Sequence, residues 1–131
     1  MLLVEDYADT REMYALYFEL HGLEVLQAAD GLQALAQAHS VKPDLVVLDV
    51  SLPQLDGLEL TRRLRADPMT APLPVVALSA HVGSEYRRRA LEAGATVALE
   101  KPCLPEDLLR EIQRLLGTAP PETPPLPAAT G

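Results

Sequence analysis

Cysteine, aromatic residues and long apolar runs are scarce in this chain of 131 residues. The single cysteine, Cys103, excludes an internal disulfide framework and a cysteine-rich zinc site. No apolar run approaches the roughly 20 residues that cross a bilayer, and no signal-like segment opens the chain. We therefore expect a cytoplasmic protein without a membrane span. With no tryptophan and one phenylalanine, its core must consist mainly of leucine, valine and alanine.

Positive charge is also scarce, since 11 basic side chains face 19 acidic ones and the formal net charge is −8. A surface of this sign repels nucleic acid and anionic membranes, so direct binding to nucleic acid is not expected. Hydrophobic residues make up 48% of the chain, which is enough to bury a core and argues against global disorder. The length suits one domain of ordinary size.

Proline divides the chain into two parts. The segment 117–131 reads GTAPPETPPLPAATG, and its many prolines cannot donate the hydrogen bonds of a helix. This composition predicts a disordered, polyproline-like tail or linker, and it leaves open whether that segment docks anything. The folded domain is assigned to residues 1–116. Because residues 117–131 cannot encode an output domain, we expect either a stand-alone domain or a piece of a longer kinase or regulator.

Apolar runs alternate with helical patterns through residues 1–116. The predicted strands are Met1–Val4, Leu23–Ala28, Leu45–Leu48, Val75–Leu78 and Thr96–Leu99. The first helix is predicted over 8–20 from the spacing of Met13, Leu16, Tyr17 and Leu20. The second helix is predicted from its cap Asp30 to about His39, the third over 57–65 and the fourth over 84–93. The fifth helix is predicted from one apolar face, formed by Leu104, Leu108, Ile112, Leu115 and Leu116. Five such units predict an α/β doubly wound parallel sheet.

Polar residues follow four of the five predicted strands. Glu5 and Asp6 follow the first strand, Asp49 the third, Ser79 the fourth and Lys101 the fifth. The carboxyl ends of parallel strands meet at the edge where open α/β sheets bind ligands, so we expect these side chains to share one site. Each residue alone would more often be a helix cap, a turn former or a solvated charge. Their joint placement indicates a functional site.

The chemistry of that set favours a hard cation and a phosphoryl group. Three carboxylates, with no histidine or thiolate, suit Mg²⁺, which keeps water and phosphate oxygens as further ligands. A carboxylate beside such a cation can be the nucleophile that forms an aspartyl phosphate. A lysine ammonium and a hydroxyl can neutralise and orient the phosphoryl oxygens.

These residues resemble the receiver domain of two-component response regulators over residues 1 to about 116. The motifs are the acidic pair Glu5-Asp6, LDVSLPQLDG at 48–57, ALSA at 77–80 and AGATVALEKP at 93–102. The resemblance implies a flavodoxin-like five-stranded parallel sheet of order 2-1-3-4-5 with five helices; that order is carried over from the family.

The resemblance also implies how the acidic residues act. Asp49 is expected to take a phosphoryl group from a phosphohistidine of a histidine kinase or histidine phosphotransfer protein. Asp6, Asp49, the backbone carbonyl of Ser51 and Glu5, the last through water, are expected to hold Mg²⁺. The protein would signal rather than act as an enzyme, apart from its own phosphorylation and dephosphorylation.

Other positions are expected to tune the site. Ser79 and Lys101 would contact the phosphoryl oxygens. The small side chain of Ala80 would leave the path of the incoming phosphoryl group open. The Lys101–Pro102 peptide is expected to be cis. His81 lies two residues after Ser79. One hypothesis is that it influences the rate of autodephosphorylation; the alternative, which fits the sequence equally well, is a solvated loop histidine.

Several positions depart from the usual family pattern. Glu5 stands where aspartate is commoner, and Ser79 stands where threonine is also frequent; both keep the chemistry that their roles need. Ala98 stands where an aromatic residue often moves inward on activation, so this chain lacks the ring on which the usual aromatic readout depends. Cys103 stands where phenylalanine is common, and we interpret it as a small, partly buried hydrophobic residue.

The expected partners are a kinase or phosphotransfer protein and a downstream effector, and a homodimer is possible. The effector face would comprise the fourth helix, fifth strand and fifth helix, where Arg87, Arg88 and Arg89 form either a solvated face or a recognition surface. One alternative function is a degenerate receiver that binds proteins without phosphorylation. An aspartyl-phosphate phosphatase is disfavoured, because Ser51 stands where such enzymes usually carry a second aspartate.

Overall fold

A sheet of five parallel strands is the centre of the structure, a computed structural model that describes residues 1–80 and 84–117. The strands are β1 (Leu2–Val4), β2 (Leu26–Ala28), β3 (Val46–Asp49), β4 (Val75–Ser79) and β5 (Val97–Glu100). They lie in the order β2-β1-β3-β4-β5, and every neighbouring pair is parallel. The expected doubly wound α/β fold and its strand order are confirmed.

Helices cover both faces of this sheet. They are α1 (Ala8–Leu20), α2 (Gly31–Val41), α3 (Gly57–Ala66), α4 (Ser84–Ala93) and α5 (Pro105–Leu116). Alternate strand residues point to opposite faces. Leu2 and Val4 therefore join the core cluster with α2, α3 and α4, while Leu3 joins the cluster with α1 and α5. Within the described residues, no helix is long and apolar enough to cross a membrane.

Polar caps and a glycine mark several helix ends. The carboxylate of Asp30 accepts a hydrogen bond from the Gln33 N–H at 2.8 Å, which confirms the predicted cap of α2. α5 ends at Leu116, and Gly117 is its left-handed cap with φ of 75°. Residues 118–131, nearly all of the predicted tail, lie outside the described part of the chain.

Several details differ from the sequence prediction. β3, β4 and β5 each end one residue later than predicted. β2 pairs with β1 only over Leu26–Ala28, and Leu23 and Val25 pack onto the core as part of the preceding loop. The apolar spacing that predicted α1 does not mark its buried face. Instead, α1 buries Tyr14, Ala15 and Phe18, while Met13, Leu16 and Leu20 are 46%, 59% and 74% exposed.

Candidate functional site

The carboxyl edge of the sheet brings together the side chains that the strand ends predicted. Asp49 and Ser79 are the last residues of the adjacent strands β3 and β4, and both are buried. Glu5 follows β1 and is 3% exposed, whereas Asp6 beside it is exposed. Lys101 follows β5, and its backbone N–H donates to the Ser79 carbonyl at 2.8 Å.

Lys101 is the cation of the site. Its Nζ donates to Asp49 Oδ2 at 2.6 Å and to Glu5 Oε1 at 2.9 Å. The side chains of Glu5 and Asp49 are only 5% and 8% exposed, and that of Lys101 is 22% exposed. The ammonium therefore compensates two buried carboxylates at once, which is the condition under which buried charge is tolerated.

Backbone N–H groups hold the remaining oxygens of both buried carboxylates. The N–H of Tyr7 donates to Glu5 Oε2 at 3.1 Å, and the N–H of Ser51 donates to Asp49 Oδ1 at 2.9 Å. These short local bonds fix each carboxylate plane relative to its strand end. One oxygen of the Asp49 carboxylate is thus held by the Ser51 N–H and the other by the Lys101 ammonium.

Burial and mutual charge shift the pKa values here. Burial raises the pKa of Glu5, and the negative charge of Asp49 adds to it, while hydrogen bonds from Lys101 and Tyr7 oppose the rise. Burial alone would lower the pKa of Lys101, but its hydrogen bonds to Asp49 and Glu5 outweigh that effect and raise it. Lys101 is consequently a charged ammonium at neutral pH.

The three acidic residues fit a divalent cation. One oxygen from each of Glu5, Asp6 and Asp49 lies within 4.8 Å of the others. An all-oxygen set with one solvent-exposed member suits Mg²⁺, which retains several waters. The backbone carbonyl of Ser51 remains a predicted ligand.

The loop after β3 packs tightly beneath the site because Gly57 has no side chain. The Gly57 N–H donates to the Val50 carbonyl at 2.8 Å. A Cβ at this position would lie 2.3 Å from the Asp49 backbone oxygen. The sequence shows Gly57 eight residues after Asp49, but nothing in it reveals this contact.

The structure places most of the other predicted positions around this edge. Ala80 is exposed and lines an open, mainly apolar crevice of about 500 Å³ together with Lys101 and Pro102. The Lys101–Pro102 peptide is cis. Ala98 pairs with Ala77 across the sheet and packs against the core cluster beneath α4. His81 lies outside the described residues.

Sequence reasoning missed two supports of the site. Arg11 of α1 donates from Nη1 to the Glu5 carbonyl at 2.9 Å, and Tyr14 donates its hydroxyl to the Cys103 carbonyl at 2.6 Å. No motif signals either contact, since each depends on how α1 lies against the sheet.

Burial, with the charges of Asp107 and Glu111, raises the pKa of the Cys103 thiol, which suits a packing role.

The three arginines of α4 have separate surroundings. Arg88 pairs with Glu85 and Glu92 on its own helix. The Arg89 guanidinium lies 5.2 Å from the ring centroid of Tyr86. Arg87 lines a polar crevice of about 420 Å³ between α4, β5 and α5. These residues therefore do not form one basic patch.

Comparison with known proteins gives a consistent result. The profile of the response regulator receiver domain family matches residues 1–113. The phosphate regulon transcriptional regulatory protein PhoB of Pseudomonas aeruginosa is 38% identical over 116 residues, covering 88% of this chain and 51% of that protein. The response regulator MprA of Mycobacterium sp. strain KMS is 40% identical over 131 residues, covering 99% and 56%. This chain spans about half the length of those two regulators.

Solved structures agree with these relatives. The receiver domain of the sensor histidine kinase PA1611 from Pseudomonas aeruginosa PAO1 superposes with a TM-score of 0.82 at 34% identity, covering 89% of this chain and 96% of that one. That structure has a magnesium ion coordinated in its active-site cleft.

Proposed function

Because this chain belongs to the response regulator receiver domain family, we propose that it accepts a phosphoryl group on Asp49 and thereby switches a protein-interaction surface. The observation that carries this proposal is the pairing of Asp49 Oδ2 with the Lys101 ammonium at 2.6 Å. A buried carboxylate at a strand end, fixed by a backbone N–H and faced by a cation, is well placed to receive a phosphoryl group and to stabilise its negatively charged oxygens.

The reaction forms one bond and breaks one. A carboxylate oxygen of Asp49 attacks the phosphorus of a partner's phosphohistidine, and the phosphorus–nitrogen bond breaks as the new oxygen–phosphorus bond forms. The electron pair remains on the imidazole nitrogen, which takes a proton from water. Lys101 neutralises charge on the phosphoryl oxygens, and the Ser79 hydroxyl donates to one of them.

The acidic residues are proposed to hold Mg²⁺ at this step. Asp6 and Asp49 supply side-chain oxygens, the Ser51 carbonyl supplies another, and Glu5 completes the acidic cluster. When bound, the cation neutralises phosphoryl charge and orients that group toward Asp49. The small side chain of Ala80 leaves the approach from solvent open.

The switching surface is proposed to be the face formed by α4, β5 and α5. A backbone hydrogen bond from the Lys101 N–H to the Ser79 carbonyl joins the ends of β4 and β5. A movement of Ser79 is therefore transmitted to β5 and to this face through the backbone. Ala98 offers no ring for an aromatic readout. A downstream effector or a second copy of this chain would bind here, while a histidine kinase or phosphotransfer protein supplies the phosphoryl group.

A phosphorylation assay tests the proposal. The protein is incubated with Mg²⁺ and acetyl phosphate, and its intact mass is measured. We expect one phosphoryl adduct that disappears in Asp49→Asn and persists in Asp44→Asn, a control at an exposed carboxylate near the opposite end of β3. Absence of an adduct in the wild type would favour the alternative, a receiver that binds its partners without phosphorylation. Sustained turnover of unrelated phosphoesters would instead indicate a phosphatase.

A further inference from the structure

Tyr14 of α1 reaches across to the loop that follows β5. Its hydroxyl donates to the Cys103 carbonyl at 2.6 Å, although the two residues are 89 positions apart in the sequence. Tyr14 is 4% exposed, and its ring stacks on that of Phe18 with the two centroids 5.9 Å apart. This packing fixes the direction in which the hydroxyl points.

The Tyr14 hydroxyl is a hydrogen-bond donor throughout the neutral pH range. Burial raises the pKa of this phenol above its ordinary value of about 10. The bond to the Cys103 carbonyl therefore does not titrate near neutral pH, and it links α1 to the loop under all conditions in which the site would work.

Hydrogen bonds at three points hold the short loop that carries Lys101 from β5 to α5. At its start, the Lys101 N–H donates to the Ser79 carbonyl at 2.8 Å. At its end, the Leu104 carbonyl accepts from two N–H groups in the first turn of α5, each at 3.0 Å. Between these points, the Tyr14 hydroxyl holds the Cys103 carbonyl, two residues after the lysine. Tyr14 thus joins the middle of the loop to α1.

The crevice beside the site shows that the Lys101 side chain has room to move. Lys101 lines this crevice together with Tyr14 and is 22% exposed. A shift of the loop would therefore move the ammonium relative to Asp49, which it now contacts at 2.6 Å. A displacement of about 1 Å in a group that assists a reaction can slow that reaction by about 100-fold.

Resting on the proposed function, we propose that Tyr14 is a positioning residue whose hydroxyl holds the loop so that the Lys101 ammonium faces the phosphoryl group on Asp49. Tyr14 acts through Lys101 and contacts neither the phosphoryl group nor the metal. The role depends on the hydroxyl and not on the ring. Tyr14→Phe is therefore the decisive variant, because it removes the hydroxyl and keeps a ring against Phe18.

The single cysteine of the chain reports directly on this loop. Cys103 is partly buried, so its reaction with the thiol reagent DTNB depends on how often the loop opens. In the full chain without metal, Tyr14→Phe should react about fivefold faster than wild type, the factor expected when one hydrogen bond is lost. Tyr17→Phe is the matched control and should react at the wild-type rate, since Tyr17 lies on the same helix with its ring edge-on to Phe18. Backbone amide spectra confirm that each variant is folded.

Phosphorylation kinetics separate the positioning of Lys101 from general support of the fold. At saturating Mg²⁺ and acetyl phosphate, Tyr14→Phe should slow adduct formation by about tenfold and Tyr17→Phe by less than about twofold. Lys101→Met has no ammonium to position. Adding Tyr14→Phe to that variant should therefore change the remaining rate by less than about twofold.

The positioning role is refuted if Tyr14→Phe is phosphorylated as fast as Tyr17→Phe, or if its thiol reacts no faster. It is also refuted if Tyr14→Phe slows phosphorylation equally in the presence and absence of the Lys101 ammonium, because Tyr14 would then not act through the lysine. Thiol labelling requires no phosphorylation. A wild-type protein that forms no adduct would contradict the proposed function, whereas faster labelling of Tyr14→Phe would still establish the link between α1 and the loop.

Discussion

Replacement of Lys101 by methionine should expose how much of the domain's stability depends on compensating two buried acids. The substitution keeps most of the aliphatic stem but removes the ammonium that bonds to Glu5 and Asp49 at 2.9 and 2.6 Å. The carboxylates remain 5% and 8% exposed, with one backbone N–H bond each. The variant therefore keeps two nearly buried negative charges without their cation.

The size of the loss follows from this geometry. Removing one partner of a fully buried ion pair costs ~3–5 kcal/mol. Lys101 is 22% exposed, and the backbone bonds remain, so the expected loss is about 2–3 kcal/mol of unfolding free energy. For a domain of this length, such a loss lowers the Tm by about 8–12 °C.

The loss should depend on pH in a defined direction. Burial raises the pKa of Glu5 in the folded protein, and removal of the ammonium that opposes this rise should raise the pKa further. A raised folded pKa means that protonation favours the folded state, so the penalty is largest at neutral pH and shrinks as pH falls through that pKa. The difference between Lys101→Met and wild type should therefore be smaller at about pH 5 than at about pH 7.5.

Urea unfolding followed by circular dichroism in EDTA measures both effects. Lys42→Met is the matched control, because Lys42 is exposed, and it should stay within about 0.5 kcal/mol of wild type. The reasoning would be refuted if Lys101→Met were as stable as this control at neutral pH, or if its deficit grew as pH fell.

Three other features make testable predictions. Gly57→Ala should cost ~2–3 kcal/mol in urea unfolding, because its Cβ would lie 2.3 Å from a backbone oxygen of β3, and an unchanged midpoint would contradict this contact. Asp67 raises the pKa of His39 by hydrogen bonding, so the stability lost in His39→Gln should be largest below about pH 6.5 and fade at higher pH; equal losses at every pH would oppose it. Phe18→Ala should cost ~3–5 kcal/mol and Leu16→Ala less than ~0.5 kcal/mol, since Phe18 is fully buried and Leu16 is 59% exposed; the reverse order would show that α1 buries its other face.

The fold is readable from the sequence because its strands are covered on both sides. Leu45–Leu48 and Val75–Leu78 are unbroken apolar runs, and a helical pattern separates each run from the next. The ends of the strands were less predictable. β3 and β4 each extend one residue further than their apolar runs, to Asp49 and Ser79, because ladder hydrogen bonds continue where side-chain hydrophobicity stops.

The buried face of α1 could not be chosen from spacing alone. Met13, Leu16 and Leu20 lie on one stripe of the helix. Tyr14 and Phe18, which are four residues apart, lie on a second stripe. Both stripes satisfy the periodicity of a helix. The structure buries the stripe with the two aromatic rings, which remove more apolar surface from water and stack with their centroids 5.9 Å apart.

At the functional site, topology determines which groups meet, and side-chain reach determines how they pair. Glu5, Asp49 and Lys101 could be assigned to one edge because each lies at or just beyond the end of a parallel strand. Glu5 and Lys101 are 96 residues apart in the sequence. Their pairing depends on the rotamers of both side chains and on the Tyr7 N–H, which holds the other carboxylate oxygen of Glu5. A motif records only that an acidic pair is present at positions 5 and 6. The ion pair itself appears only in the folded chain, where Lys101 Nζ lies 2.9 Å from Glu5 Oε1.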